Sequence, residues 1–133
     1  MNDADTNADH AAAPTVLPLG NERVWLCPAD GAPIADARAA TDLIGEASFA
    51  GATVLAIPAT RLDASFFRLA SGLAGEIAQK AVNYRLRLAV VGDIQAQLQR
   101  SSALRDWVRE CGEGRAVAFV ADLDGLARRL GAQ

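Results

Sequence analysis

The polar residues with the spacing to do chemistry fall in two groups. Glu76, Lys80 and Asn83 stand at i, i+4 and i+7, with Gln79 between them and Tyr84 closing the segment. On a helix this spacing gathers the polar groups on one side. Lys80 is the only lysine among 13 basic residues. A carboxylate and an ammonium so placed can serve as acid and base. They also form an ordinary solvated pair worth about 0.3 kcal/mol. No second catalytic group accompanies them, so the stripe reads as a binding surface for a partner protein or a second copy of the chain. The other group is Thr60, Arg61, Ser65 and Asp93, which follow the ends of expected strands. In open parallel sheets, small ligands bind in the crevice beyond the carboxyl ends of the strands. These four residues are therefore a candidate ligand crevice. The competing reading makes Ser65, Asp93 and Asp122 helix N-caps, each worth ~1 kcal/mol.

Other chemistries are excluded by what is missing. The single histidine, His10, lies in the first 14 residues, so residues 15–133 contain none. A Ser–His or Cys–His nucleophile pair and a histidine metal site are ruled out in that stretch. Cys27 and Cys111 are too far apart for a metal or redox motif, and both read as small apolar residues. Gly72-Leu73-Ala74-Gly75 sits inside an expected helix rather than after a strand. It is no phosphate loop, and its glycines read as points where another backbone approaches closely. No catalytic residue, metal ligand or cofactor is assigned.

The elements that must position these groups follow from periodicity. Residues 1–14 are polar, acidic and alanine-rich, and read as a disordered tail. Residues 15–133 form one domain. Thr15–Leu19 and Arg23–Cys27 are β-leaning runs joined by Gly20-Asn21, which predicts a hairpin. Pro18 puts the first strand at an edge. Asp36 caps a helix reaching Phe49, with Ala40, Leu43, Ile44 and Ala47 on one face and Gly51 as its stop. Thr53–Ile57, Leu86–Val91 and Ala116–Val120 are short apolar strands. A helix from Asp63 or Ser65 to Asn83 buries Phe66, Leu69, Ala70, Leu73, Ile77 and Ala81. A third carries Leu104, Trp107, Val108 and Cys111 and is broken by Gly112 and Gly114. The last runs from Asp122 to Gly131. The order ββαβαβαβα predicts an α/β fold with a mostly parallel five-stranded sheet, an antiparallel edge strand and four helices.

Composition narrows the partners. Hydrophobic residues make up 51% of the chain, as in a globular domain. The net charge is -3, and without Asp3, Asp5 and Asp9 the acidic and basic residues balance at 13 each. That balance gives no nucleic-acid footprint. Phe66, Phe67, Tyr84, Trp107 and Phe119 are not interleaved with basic residues as a base-stacking surface requires. They read as core, whereas Trp25 on the second strand is free to face a partner. No apolar run nears the ~20 residues that span a bilayer, and residues 1–14 lack a secretory pattern. A cytoplasmic protein with reduced thiols is expected.

Two resemblances add to this reading. The segment FFRLASGLAGEIAQKAVNYRLRLAVVGD, residues 66–93, resembles the signature of the bacterial domain of unknown function 4180 family. LRDWVRECGEGRAVAFVADLDGLARRL, residues 104–130, continues the likeness. It implies a fold and a bacterial source, not an activity. The element order also resembles the SpoIIAA-like or STAS fold of sulfate transporters and anti-sigma-factor antagonists. That likeness implies a non-enzymatic regulatory or protein-interaction module, with Ser65 near the place of the antagonists' phosphorylated serine. Small-ligand binding in the strand-end crevice is the alternative.

Overall fold

A computed structural model describes residues 15–131. The expected tail of residues 1–14, His10 included, lies outside the described residues. Strand β1 (Thr15–Leu19) pairs antiparallel with β2 (Glu22–Leu26). β2, β3 (Val54–Pro58), β4 (Arg87–Val91) and β5 (Val117–Val120) then run parallel. The order across the sheet is β1-β2-β3-β4-β5. This is the expected α/β architecture, a mostly parallel five-stranded sheet with one antiparallel edge.

Because the strands lie in chain order, every crossover steps the same way. Right-handed crossovers then place all their helices on one face of the sheet. Helices α1 (Ala37–Phe49), α3 (Leu73–Asn83) and α5 (Ser102–Glu113) do share one core with Trp25, Leu55, Ile57, Leu88 and Val90. The alternate strand residues Val24, Val54, Ala56 and Ala89 point the other way. They are covered by α6 (Leu123–Gly131) through Leu126 and Leu130. Trp25 therefore does not face a partner. It is 3% exposed, in the helical core, because a strand covered on both faces has no solvent side.

The helices differ from the expected four. Six α-helices and two short 3-10 turns are present among the described residues. The long second helix is broken into α2 (Ala64–Phe67), a 3-10 turn at Leu69–Ser71, and α3. The break is Gly72, whose φ is +81°, a left-handed conformation that costs a residue with a Cβ ~1–2 kcal/mol. The Ser71 hydroxyl accepts the Leu73 N–H at 3.2 Å and restarts the helix. A Cβ on Gly72 or Gly75 would meet nothing within 4 Å, so neither is a packing glycine. The third helix is likewise split into α4 (Gln95–Arg100) and α5. Ser101 between them is extended, and its hydroxyl accepts the Leu104 N–H at 3.0 Å. Gly112 does not end α5, which continues to Glu113. Phe66 and Phe67 of α2 pack edge-on with ring centroids 5.2 Å apart, as do Trp107 of α5 and Phe119 of β5 at 5.5 Å.

The two glycines separate the two accounts in a urea titration. Gly72→Ala is expected to lose about 1–2 kcal/mol. Gly75→Ala, in a helix interior with open space around it, is expected to gain up to about 1 kcal/mol. Loss of stability by Gly75→Ala would restore the close-packing account.

Candidate functional site

The broken crossovers open a space between them. A cavity of about 710 Å³ lies beyond the carboxyl ends of β3 and β4. Ala59 and Thr60, in the 3-10 turn that follows β3, form one wall with Leu62. Phe67 at the end of α2, with Arg68 and Leu69 after it, forms the second. Gln97, Arg100 and Ser101, at α4 and its junction with α5, form the third. The volume lies in the range of small-molecule sites, roughly 300–1,000 Å³. The lining is mainly apolar, with two arginines and no acidic residue.

Of the four crevice residues, the structure brings Thr60 to this cavity. Arg61 turns away from it. Its guanidinium donates to the carbonyls of Pro28 at 2.7 Å, Asp30 at 3.0 Å and Ala32 at 3.1 Å. It thereby fastens the loop between β2 and α1. Gly31 lies against it with φ +138°, and a Cβ there would come within 2.8 Å of the guanidinium carbon. Ser65 donates its hydroxyl to Asp63 at 2.7 Å and its backbone N–H to the same carboxylate at 3.0 Å. These two bonds hold the Asp63 carboxyl below its ordinary pKa. Asp63 is the N-cap of α2, and Ser65 supplies the N–H that it caps. A phosphate on Ser65 would face that carboxylate. Asp93 accepts the Gln95 N–H at 2.9 Å and lines a smaller cavity of about 250 Å³ with Leu98 and Phe119.

The other candidate set stays together on α3. Glu76, Gln79, Asn83 and Tyr84 are exposed and Lys80 is half-buried. Gln79 donates its side-chain amide to the Asn83 side-chain oxygen at 3.0 Å. Beside the stripe runs a groove of about 420 Å³ between α3 and α5, where Gln79 and Val82 face Trp107 and Cys111. Phe49, at the end of α1, is 95% exposed, and Tyr84 and Val82 are 48% and 45% exposed. Helices α1 and α3 pack side by side, and each ends just before a parallel strand begins. The three apolar groups therefore lie at one end of the molecule, opposite the 710 Å³ cavity.

Activated groups are not found at either place. Burial pushes the Cys27 thiol up, against the opposing charge of Arg61, and burial also raises Cys111. Among the described residues no group of three or more His, Cys, Asp and Glu comes together, and no helix is long and apolar enough to cross a membrane. Sequence reasoning missed Arg68, Arg100, Phe67 and Gln97 as site residues. The two arginines are 32 positions apart, and only the two breaks in the helices bring them to one cavity.

The role given to Arg61 is testable by equilibrium unfolding. Arg61→Ala removes charge-assisted bonds to three carbonyls and is expected to destabilise by about 2 kcal/mol. Arg61→Lys is expected to recover little of this, since an ammonium lacks the fork. Full stability in Arg61→Ala would return the residue to the candidate ligand groups.

A family model described as domain of unknown function (DUF4180) matches residues 19–130. No curated protein and no solved structure matches the chain.

Proposed function

The chain belongs to the DUF4180 family, and from that premise we propose that it is a small-molecule-binding module whose ligand sits in the strand-end cavity. The observation that carries this reading is the 710 Å³ cavity itself, at the end of a parallel sheet where loops meet. Its walls come from three segments that a buried sheet holds in place, the arrangement by which loops on a rigid scaffold bind ligands. Non-enzymatic binding is favoured over catalysis because the cavity lining holds neither a carboxylate nor a cysteine to act as base or nucleophile. Free Cys27 and Cys111 agree with a reducing bacterial cytoplasm as its setting.

A ligand that binds the folded state raises the unfolding temperature, by the equivalent of about 2.7 kcal/mol at a hundred times its Kd. Thermal unfolding against a panel of organic acids, sugars and nucleosides is expected to yield compounds that stabilise the protein. Ala103→Trp fills the cavity from the first turn of α5, and is expected to abolish that stabilisation while leaving the circular dichroism spectrum unchanged. Equal stabilisation of wild type and Ala103→Trp would remove the cavity from consideration.

A second reading is favoured by exposed Phe49, Val82 and Tyr84 beside the polar stripe Glu76, Gln79, Lys80 and Asn83. On that reading the ends of α1 and α3 dock on a protein partner or a second copy of the chain, and the module is regulatory. Apolar groups rimmed by polar ones are the usual composition of such a surface. Sedimentation of the isolated chain over a hundredfold range of concentration is expected to show self-association that Phe49→Asp abolishes. A monomer throughout would leave only the partner protein, and unchanged association in Phe49→Asp would move the contact elsewhere.

A further inference from the structure

We propose that the cavity selects an amphiphilic organic anion, its acidic head held by Arg68 and Arg100 and its apolar body laid against Leu62, Phe67 and Leu69. This rests on the reading of the cavity as a ligand site and adds the chemistry of the ligand.

Several arginines of this protein are committed to its fold. Arg61 is spent on the carbonyls of its loop. Arg23 donates to the Gly51 carbonyl, Arg87 to that of Arg115, and Arg105 to that of Leu98. Arg109 pairs with Asp106. Among the described residues neither Arg68 nor Arg100 is held by a hydrogen bond or an ion pair, as is also so of Arg38, Arg85 and Arg128. Arg68 and Arg100 differ from these in lining one cavity together. Asp63 feels the charge of Arg68, but its carboxylate already accepts two bonds from Ser65. No acidic side chain lines the cavity to offset the two positive charges. Like charges gathered on an apolar wall raise the local potential and concentrate anions there. A guanidinium presents a planar fork that fits a carboxylate or phosphate edge.

The rest of the wall sets the body of the ligand. Leu62 and Phe67 are buried, and Leu69 packs against the same core. They offer a fixed apolar surface next to the arginines. Thr60, Gln97 and Ser101 add neutral polar groups at the margin. A small inorganic anion would leave most of the 710 Å³ unfilled. A neutral hydrocarbon would leave the guanidinium groups without a partner.

Three probes separate these possibilities by calorimetric titration of the full chain at low ionic strength: octanoate, octanamide and acetate. Octanoate is expected to bind at least about tenfold more tightly than either of the others. Arg68→Met and Arg100→Met are each expected to weaken octanoate by about tenfold and leave octanamide unchanged. Equal affinity for octanoate and octanamide, or indifference of octanoate to both substitutions, would overturn the anion assignment while the cavity remained a ligand site. Equal affinity for acetate and octanoate would overturn the apolar body. Absence of binding by all three would remove the ligand-site reading and this inference together.

Discussion

The structure depends on one geometric constraint: strands in chain order send every crossover to the same face of the sheet. Neighbouring strands are ~4.8 Å apart, whereas packed helices need about 8–10 Å between axes. Three crossover helices cannot each lie straight above the pair of strands they join. Here α1 and α3 pack in direct contact, while α3 and α5 are separated by a groove. The second and third crossovers are broken into short pieces at the carboxyl ends of the strands. In a doubly wound sheet, the ligand crevice forms where the strand order reverses. This sheet has no such reversal among its parallel strands. Its cavity arises instead between two interrupted crossovers.

The opposite face answers the same constraint with a single short helix. Nine residues of α6 cover it. Ala56, Ala89 and Ala118 on that face are small enough to let a lone helix come close, and Leu126 and Leu130 close the core. The first crossover is the intact one, and the loop that leads into it is fastened by Arg61. That loop begins at the same end of the sheet as the cavity. A guanidinium bonded to three carbonyls thus belongs to the scaffold, whereas Arg68 and Arg100 line the cavity.

Much of the fold was legible because it rests on local rules. Gly20-Asn21 marked the hairpin, Asp36 and Gly51 bracketed α1, and the apolar runs marked β3, β4 and β5. The helix breaks were not legible from periodicity, since Phe66, Leu73, Ile77 and Ala81 keep an apolar rhythm across Gly72. The signal was present in Gly72 itself and in Ser71 and Ser101, whose hydroxyls cap the helices that follow. The orientation of Trp25 turned on whether the second face of the sheet is covered, a tertiary fact. The site was the least legible part. Thr60 was identified, but Arg61 beside it is structural, and nothing in their spacing sets Arg68 and Arg100 apart from the other arginines. What distinguishes those two is their place on the wall of one cavity, a tertiary fact.

On this reading a small molecule binds in the space between the broken crossovers and not at the α3 stripe. Backbone amide shifts of the full chain during titration with octanoate separate the two places residue by residue. Saturable shifts are expected at Thr60, Arg68 to Ala70, and Gln97 to Ala103, with Gln79 to Tyr84 unmoved. Shifts centred on Gln79, Asn83 and Tyr84, or none at saturating octanoate, would contradict it.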